Sequence, residues 1–511
     1  MKTKAPISSY SSTSSLRRIL TVLRSCALTV FFISPFSFLP LQAQLDPNFE
    51  KSFEEFQKNI NQEFTQFQDS MNKVFAKALE EQWEEFRVFA KIPVPVKPNP
   101  KTPPVADTMK LKPEAPLKIP VKEIERAMPA PIKEEEPLHK EQPKQEKKDF
   151  KFYKTIHLWD TDFRIPYDKA LENLNLSNTL EKTISDFWLS LSRTDYQPVI
   201  EAIEDIKIKC GLNHYGVAIL CHEYAKSVWA NKPNETTTLF VFLLNQSSLD
   251  AKVVRTSIGL EPVLHSPQTV YSKSFIAIDS KKYYFLLTKT VPASTYTYKI
   301  NFSEQITGID FHVNKPVNIS NAVVDKELLI KKLNKTVTLS YSQSVIAYYK
   351  NYPQVDADIN ANAAVSVPFK NSVIKQFNPL LAGKTEYEAV SLLLNFMQYG
   401  FEYKTDEEQY GHEKWNFCEE NLFYPYNDCD DRAILFSYLV RELLHLDVVL
   451  VLFSDHLTTA VRFNTPVSGD YLTVDGQQYI ICDPTYIGAA IGMNSPKYKN
   501  EEAEIVKTKK L

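Results

Sequence analysis

The chain has 511 residues, which is enough for two or three domains with buried cores. Its formal net charge is −3 at pH 7, so it lacks the strongly basic character of nucleic-acid-binding proteins. We therefore expect a multi-domain protein with no nucleic-acid partner.

Residues 1–43 have the pattern of a secretory signal peptide. Basic residues precede the apolar run CALTVFFISPFSFLPL, and Ala43 offers a small residue at a cleavage site. The alternative is an N-terminal membrane anchor. Cleavage is favoured because the apolar run is short for a membrane span and contains Pro35 and Pro40. We predict an exported protein that is periplasmic, secreted or held in the cell envelope.

After the signal peptide, the remaining cysteines are Cys210, Cys221, Cys418, Cys429 and Cys482. An odd number of cysteines in an exported chain leaves at least one thiol outside a disulfide. The segment from Cys210 to His222 holds two cysteines and two histidines, but their spacing fits no common zinc site. We therefore interpret them as core residues, and the sequence predicts neither a metal nor a cofactor.

Residues 44–91 carry an apolar stripe that is typical of one long amphipathic helix. The stripe repeats every 11 residues, which contain three apolar steps. The spacing of 11/3 residues per step is close to the period of a straight helix. Its aromatic members at this spacing are Phe53, Phe64, Phe75 and Phe86. Such a stripe must pair with a copy of itself, dock on the body of the protein or lie on a membrane. Because the polar face is mixed in charge, we favour self-association or docking over membrane binding.

Residues 92–150 differ from both flanking regions in composition. Prolines recur in clusters such as IPVPVKPNPKTPP and MPAPIKEEEP, and the charges between them alternate in sign. Such a stretch cannot bury enough apolar surface to form a core of its own. We predict an extended linker between the long helix and the globular part of the chain.

Two parts of the globular region align with each other at a constant offset. NKPNETTTLFVFLL starts at Asn231 and aligns with NDCDDRAILFSYLV, which starts at Asn427 (427 − 231 = 196). IDSKKYYFLL starts at Ile278 and aligns with VDGQQYIICD, which starts at Val474 (474 − 278 = 196). Each copy has a helix followed by a strand, a turn and a strand. We predict a duplicated fold with a degenerate first copy; the alternative is chance alignment of short apolar runs.

Alternating residues between the copies predict a connecting sheet built from residues 296–302, 306–313 and 336–342. The second copy begins near Pro379 with the amphipathic helix TEYEAVSLLLNFMQYGF. The predicted order is therefore signal peptide 1–43, helix 44–91, linker 92–150, degenerate domain 151–295, connecting β region 296–378, catalytic domain 379–495 and tail 496–511.

Cys429 lies at the start of a helix predicted to run to about Leu444, with Asp428 as a suitable cap. The first turn of a helix has free backbone N–H groups, and the helix dipole favours a negative charge there. Both effects lower the pKa of a thiol. Asp430 and Asp431 oppose a thiolate, so we expect a protonated histidine nearby. Cys429 is therefore a candidate nucleophile.

His456 and Asp483 are the candidate partners of this thiol. His456 follows the predicted strand DVVLVLF, and Asp483 ends a strand on which it shares a face with Ile481. In a triad, the thiolate attacks a carbonyl, the histidine transfers the proton and the acid fixes the histidine tautomer. Each residue alone also fits a structural role: a buried thiol, a loop histidine and an Asp-Pro turn.

The residues that form a family-like pattern are Cys429, Asp431, Ala433, Leu435, Leu439, Arg441, His456, Asp483, Pro484 and Thr485. In this pattern residues 385–492, about a fifth of the chain, resemble the transglutaminase-like superfamily, whose core is related to papain-type cysteine proteases. Two positions depart from it: Asn427 replaces a small residue, and Leu457 replaces Ala or Val. The resemblance implies that Cys429 is the nucleophile, His456 the base and Asp483 the orienting acid. It also suggests Trp415 or Asn416 for the oxyanion hole.

At the offset of 196, the first copy lacks the triad and has Pro233, Leu260 and Leu287 instead. We therefore predict an exported α+β protein with two transglutaminase-like domains. The second would be a thiol acyl-transfer enzyme acting on a protein or peptide. Hydrolysis of a peptide or amide bond is the first choice, and cross-linking of glutamine to an amine is the same chemistry with another acceptor. The alternative function is a non-catalytic binding or assembly scaffold.

Overall fold

The computed structural model describes residues 47–81, 83–94, 100–106, 115–122, 151–288 and 291–510. The predicted signal peptide lies outside these residues, as does much of the predicted linker. The chain divides into residues 1–66 and a larger compact unit of residues 67–511. None of the helices in the described part of the chain combines the length and the apolar composition of a membrane span.

The described residues form a mixed α+β structure, as the sequence predicts. Its α-helices are α1 (Pro47–Glu81), α2 (Glu181–Ser192), α3 (Gln197–Cys210), α4 (His214–Val228), α5 (Pro233–Gln246), α6 (Gln343–Tyr349), α7 (Ala357–Ala361), α8 (Val367–Leu381), α9 (Glu386–Gly400), α10 (Asp406–Tyr410), α11 (Glu420–Phe423) and α12 (Cys429–Leu444). Its strands are β1 (Trp83–Arg87), β2 (Val121–Lys122), β3 (Tyr153–Leu158), β4 (Thr161–Pro166), β5 (Ala251–Thr256), β6 (Gly259–His265), β7 (Phe275–Ile278), β8 (Lys281–Tyr284), β9 (Ser294–Tyr298), β10 (Val323–Ile330), β11 (Lys335–Ser342), β12 (Asp447–Leu452), β13 (Leu457–Arg462), β14 (Tyr471–Val474), β15 (Gln477–Cys482) and β16 (Ala503–Lys507).

Two six-stranded sheets have the same strand order, although the outer strand is antiparallel to its neighbour in the first sheet and parallel in the second. The first has the order β1-β9-β5-β6-β8-β7, and the second has the order β2-β16-β12-β13-β15-β14. In both sheets a helix (α5 or α12) leads into two antiparallel central strands (β5–β6 or β12–β13). A hairpin (β7–β8 or β14–β15) extends the sheet on one side, and the last strand (β9 or β16) pairs on the other side. A strand from the N-terminal region forms the outer edge of each sheet. A separate two-stranded hairpin, β3–β4 or β10–β11, precedes the helices of each copy.

The offset of 196 residues also appears in the element boundaries. Helices α5 and α12 start at Pro233 and Cys429, and strands β5 and β12 start at Ala251 and Asp447. Both strands of the following hairpin keep this spacing as well. The differences are 429 − 233, 447 − 251, 471 − 275 and 477 − 281, and each equals 196. Equal spacing combined with equal strand order supports the predicted duplication.

The first helix ends earlier than predicted. Helix α1 stops at Glu81, and Trp83 to Arg87 pair as strand β1 with the antiparallel strand β9. Phe86, which continues the helical stripe in sequence, instead packs with a small apolar cluster that includes Val254 and Ile276. The exposed edge of β9 offers backbone partners for the chain, and this tertiary context outweighs the helical periodicity.

The C-terminal part of α1 packs on the first domain, which holds helices α2–α5 and the first six-stranded sheet. The Phe75 ring centroid lies 4.8 Å from that of Trp188 and 5.6 Å from that of Tyr298. The indole N–H of Trp188 donates to Oδ1 of the buried Asn72 at 2.9 Å. These contacts bury one end of the aromatic stripe, whereas self-association through its N-terminal end stays a prediction.

Part of the predicted linker belongs to the second sheet. Strand β2 pairs in parallel with β16, and the Ile119 N–H donates to the Tyr471 carbonyl at 2.8 Å. Ile119 is only 1% exposed and packs in a cluster with Val449 and Ile481. This segment of the predicted linker is therefore docked on the second sheet, because isolated apolar residues between the prolines can pack on a sheet that already exists.

The second domain is also larger than its predicted limits of 379 and 495. Strand β16 lies in the predicted tail, and β11 lies in the predicted connecting region. Leu339 of β11 belongs to the same hydrophobic core as Cys429 and Leu435. Residues 306–313 do not form a strand as predicted; their apolar side chains, such as Phe311, pack into the core of the first domain instead.

Replacing Ile119 by alanine tests the docking of the linker segment. We expect Ile119→Ala to lower the free energy of unfolding by about 2–5 kcal/mol, because it removes a fully buried side chain from a packed cluster. Urea unfolding of the full chain measures this value. Leu117→Ala is the matched control, since Leu117 is 39% exposed in the same segment. Equal and small effects of the two variants would contradict the docking.

Candidate active site

Cys429 is the first residue of α12 and is completely buried. The N–H of Arg432 donates to the Asp428 carbonyl at 3.3 Å, which begins the helix one residue after Asp428. The expectation that the Asp428 side chain caps this helix is wrong, because that side chain makes no capping hydrogen bond. It shares a hydrogen bond with the Asp430 carboxyl group instead. The nucleophile candidate thus lies at a helix start that is both buried and acidic.

His456 and Asp483 lie at neighbouring strand ends. His456 immediately precedes β13, Asp483 immediately follows β15, and these two strands pair with each other. The Nε2 atom of His456 lies 2.9 Å from Oδ2 of Asp483. The other carboxylate oxygen, Oδ1, accepts the N–H groups of Thr485 at 2.9 Å and Tyr486 at 3.1 Å. Both carboxylate oxygens of Asp483 therefore accept hydrogen bonds: Oδ2 contacts the imidazole, and Oδ1 accepts the backbone N–H groups of the turn.

Asp483 is completely buried, yet its pKa is lower than usual. Burial raises this pKa, but the charge and hydrogen bond of His456 together with the two backbone N–H groups outweigh burial. The carboxyl group is therefore ionised at neutral pH. A carboxylate at this distance requires the proton of a neutral imidazole to be on Nε2, which leaves Nδ1 as an acceptor.

The sulfur of Cys429 contacts the residue that follows His456. The Leu457 N–H donates to Sγ at 3.4 Å, and the thiol lies 3.8 Å from Oδ1 of Asp430. The Nδ1 atom of His456 is buried and has no hydrogen-bond partner among the described residues. The structure therefore places the buried Cys429 beside the residue that follows His456, and it pairs His456 with the buried Asp483.

The imidazole of His456 is also held by an aromatic stack. The ring centroid of Tyr498 lies 5.2 Å from that of His456, with the planes only 12° apart. The other neighbour of Tyr498 is Phe453, whose centroid lies 4.8 Å away. The Tyr498 hydroxyl donates to Asp455 at 3.0 Å. Tyr498 thus fixes the plane of the imidazole, and the sequence interpretation missed it because it lies in the predicted tail.

Gln398 of α9 holds the turn that carries Asp483. Its side-chain amide donates to the carbonyl groups of Asp483 at 3.2 Å, Tyr486 at 2.9 Å and Ala489 at 3.0 Å. Gln398 is buried, so these contacts are shielded from water. A glutamine at a core position of an amphipathic helix is the signal in the sequence that could have identified this anchor.

The pKa of Cys429 lies well above the usual value of a thiol. Burial is the main cause, followed by the negative charges of Asp430 and Asp428, while the Leu457 N–H acts in the opposite direction. The sequence predicts a lowered pKa for this thiol, and that prediction is wrong. A helix start stabilises a thiolate only where solvent or a nearby cation also stabilises the charge, and here burial and the neighbouring acids act against it. At neutral pH the thiol is therefore protonated, and it ionises only if a base takes the proton.

Trp415 and Asn416 are not aimed at the nucleophile. The backbone N–H of Trp415 donates to Gln354 at 3.0 Å, and its indole N–H donates to Glu413 at 3.3 Å. The backbone N–H and the side-chain amide of Asn416 both donate to Asp431 at 3.0 Å. These donors are engaged elsewhere, so the expected role of either residue in an oxyanion hole finds no geometric support.

A group of carboxyl groups lies beside the start of α12, all buried except the half-buried Glu413: Asp406, Glu413, Asp428, Asp430 and Asp431. Burial, followed by the charge of Asp428, raises the pKa of Asp406 to about 11. Burial also raises the pKa of Glu413 to about 7. The sequence shows the acids of the helix start, but it gives no sign that residues 406 and 413 join them, because that proximity depends on the tertiary fold.

Residues 100–106, which we name the strap, pack on the turn that follows Asp483. The Ala106 N–H donates to the Ile487 carbonyl at 2.9 Å, and the Tyr403 hydroxyl donates to the Pro100 carbonyl at 2.7 Å. Burial and then the neighbouring charge of Cys429 raise the pKa of Tyr403, which places this phenol near the nucleophile. We therefore expect the strap to limit access to Cys429.

The first domain provides an internal reference for the site. Pro233 occupies the position of Cys429 at the start of α5. The residue before β6 is Ile258, so Ile258 and not Leu260 corresponds to His456, because β6 and β13 start 198 residues apart (457 − 259).

Comparison of the chain with family models, curated proteins and solved structures finds no match. The contrast between the two domains is therefore the comparison that bears on the site.

Tyr403→Phe tests the strap. The substitution keeps the ring and removes the hydroxyl that holds Pro100, so we expect iodoacetamide to alkylate Cys429 faster at every pH. Mass spectrometry of the Cys429 peptide measures the rate. Tyr387→Phe, at a 43% exposed tyrosine of the same domain, is the control. An unchanged rate, or a change only in the pH midpoint, would show that the strap does not control access.

Proposed function

We propose that this chain is an exported thiol enzyme whose second domain is transglutaminase-like and transfers acyl groups. The observation that carries this proposal is a pair of contacts, one made by His456 itself and one by the residue that follows it. The Leu457 N–H lies 3.4 Å from the Cys429 sulfur, and Nε2 of His456 lies 2.9 Å from Asp483. A nucleophile, a base and an orienting acid in this order are what nucleophilic catalysis by a thiol needs.

The chemistry follows from the proton positions. Nδ1 of His456 accepts the thiol proton as the sulfur of Cys429 attacks a carbonyl carbon. The carbonyl electrons move to oxygen, and when they return the bond to the leaving amine breaks. The imidazolium gives its proton to that amine, which leaves a thioester on Cys429. Asp483 keeps Nε2 protonated throughout and stabilises the transient positive charge.

The acceptor that releases the thioester decides the net reaction. Attack by water completes the hydrolysis of a peptide or amide bond, which is the reaction we propose first. Attack by an amine would join two chains with the same catalytic groups. A protein or peptide is the proposed substrate in both reactions, and the signal-like pattern of residues 1–43 supports a proposed site of action outside the cytoplasm.

The second candidate function is a scaffold that binds without catalysis. It is favoured by the complete burial of Cys429 and by the first domain, where Pro233 and Ile258 take the positions of the nucleophile and the base. The same frame thus folds without catalytic groups. A scaffold has no need of a paired His456 and Asp483, which is why catalysis is the first proposal.

An acylating probe tests the triad directly. We expect an activated ester to acylate Cys429 in the full chain, and His456→Ala to slow this step by about a hundredfold or more, since general base catalysis is worth that much. Time-resolved intact mass spectrometry measures the covalent adduct. His412→Ala, at an exposed histidine of the same domain, should leave the rate unchanged. Absence of an adduct on Cys429, or equal rates for His456→Ala and the parent chain, would rule out the enzyme.

The pH dependence of alkylation tests the electrostatics. Because burial and the neighbouring acids raise the pKa of Cys429, we expect its alkylation to increase with pH and to reach half its maximum above the pKa of an unfolded thiol. Asp430→Asn removes one of those charges and should move the midpoint to lower pH. Glu442→Gln, at the far end of the same helix, is the control. A midpoint at or below that of the unfolded thiol would contradict this picture of the closed site.

A further inference from the structure

Lys252 lies on strand β5 of the first domain and is only 1% exposed. Within the described part of the chain its ammonium group forms no salt bridge, since the nearby Asp250 pairs with Lys281 at 3.5 Å instead. Burying an ammonium group without an ion pair is costly, and an apolar side chain would fill the same space at a lower cost. The contacts of Lys252 therefore need an explanation beyond packing.

The Nζ atom of Lys252 is held against the segment that follows strand β9. It donates to the Ile300 carbonyl at 2.8 Å and to the Lys299 carbonyl at 3.3 Å. It also lies 2.9 Å from Oδ1 of Asn301. The Cγ atom of Asn301 is one C=O bond of about 1.23 Å from Oδ1, so it lies at most about 4.1 Å from Nζ. Reacting atoms need a separation of about 3–3.5 Å, so the amine and the amide carbon need little movement to meet.

Two tyrosine rings shield this contact from water. The Nζ atom of Lys252 lies 5.1 Å from the ring centroid of Tyr298 and 5.3 Å from that of Tyr283. Both rings are buried. Exclusion of water removes the hydration shell of the amine and prevents competing hydrolysis of the amide.

Asp250 provides a proton acceptor beside the lysine. It directly precedes β5, so its side chain lies on the same face as that of Lys252, two positions further along. The Tyr283 hydroxyl donates to Oδ2 of Asp250 at 2.9 Å, and the ring of Tyr283 faces Nζ. Asp250 is 1% exposed. A buried carboxylate in this place can take a proton from the amine and pass it on.

The protonation of Lys252 favours reaction as well. Burial lowers its pKa to about 8, although Asp250 acts in the opposite direction; Lys281 lowers the pKa further, and Asp279 raises it. About a tenth of the amine is therefore neutral at pH 7, whereas an exposed lysine is almost fully protonated. The neutral amine is the nucleophilic form, and desolvation is a common way to produce it.

We propose that Lys252 and Asn301 join in an intramolecular isopeptide bond. The neutral Nζ atom attacks Cγ of Asn301, and a C–N bond forms as the carbonyl electrons move to oxygen. Asp250 takes a proton from the attacking nitrogen and gives it to the side-chain nitrogen of Asn301. When the carbonyl forms again, the bond to that nitrogen breaks and ammonia leaves. Asp250 returns to its starting state, and the reaction needs no oxidant or second substrate.

The bond would secure the surface on which helix α1 docks. It closes a loop between residues that are 49 positions apart (301 − 252) and ties β5 to the segment after β9. Phe302, the next residue, has its ring centroid 5.3 Å from that of Phe75 on α1. The bond forms without Cys429, so this inference is independent of the proposed function.

A second contact between a lysine and an asparagine shows why proximity alone is not enough. The Nζ atom of Lys414 lies 2.7 Å from Oδ1 of Asn416 and pairs with Glu420 at 2.8 Å. Burial lowers the pKa of Lys414, but the charge and the hydrogen bond of Glu420 outweigh burial and raise it. Lys414 therefore stays an ammonium ion. We expect no isopeptide bond there, which makes this pair an internal control.

Mass spectrometry of the purified full chain tests the proposal. We expect the intact chain to be lighter than its sequence by one molecule of ammonia. After digestion with trypsin, a branched peptide should join the segment that contains Lys252 to the one that contains Asn301, because trypsin cannot cleave after an acylated lysine. Lys414 and Asn416 should appear only in unbranched peptides.

Four variants assign the reaction to its residues. Lys252→Arg keeps the charge and Asn301→Ala removes the acceptor, so each should abolish the branched peptide. Asp250→Asn should leave most of the chain unlinked, since loss of a proton carrier slows such a step by about a hundredfold or more. Lys281→Arg, at the partner of Asp250, is the matched control and should be linked like the parent chain. Circular dichroism checks that each variant is folded.

The result in the parent chain decides the proposal whether or not every variant folds. Absence of the branched peptide overturns it. A loss of ammonia that comes from a succinimide at Asn301 or from a cyclised N-terminal glutamine, without a branched peptide, overturns it as well. A branch that disappears in Cys429→Ala would make the bond a product of the thiol enzyme and would contradict the mechanism through Asp250.

Discussion

The burial of the α12 start is the constraint on which the second domain depends. A helix start normally faces water, because its first N–H groups and its preferred acids need partners. Here Cys429 and Asp430 are both completely buried. Every polar group in this region must therefore find a partner in the protein or take up a proton. The hydrogen bonds of Asn416, the raised pKa values and the closeness of the carboxylates all follow from that requirement.

The same constraint shapes the histidine side of the site. The buried imidazole of His456 and the buried carboxylate of Asp483 stabilise each other, because the Nε2–H group donates a hydrogen bond to the charged carboxylate at 2.9 Å. The backbone N–H groups after Asp483 and the ring of Tyr498 then leave little freedom for either group. Such rigidity suits catalysis, because a positioned base loses little entropy when it acts. It also suits a stable core, and Pro233 in the first domain shows that the helix itself folds without a thiol.

Much of the local structure could be predicted from the sequence. The apolar run before His456, the alternation after it and the pattern around Asp483 gave the correct strands, and the start of α12 falls at Cys429 as expected. The offset of 196 also anticipated that the two sheets share one strand order. Hydrophobic periodicity is a local property, so it survives without knowledge of the fold.

What could not be predicted depends on contacts between distant segments. Tyr498 reaches His456 across the sheet, and Asp406 reaches the helix start from another helix. The sequence likewise could not show that Asp428 lies too deep to act as an ordinary cap, nor that burial would raise the pKa of Cys429. Depth of burial decides the sign of these effects, and depth is a property of the whole fold.

The outer strand of the second sheet has a consequence for the order of events during biosynthesis. Val121 pairs with Ala503, so strand β2 must wait for a strand that is made 382 residues later (503 − 121). The second sheet cannot be completed until β16 has left the ribosome, and closing so long a loop is slow. For the exported chain that we propose, this delay would keep the second sheet incomplete during translocation.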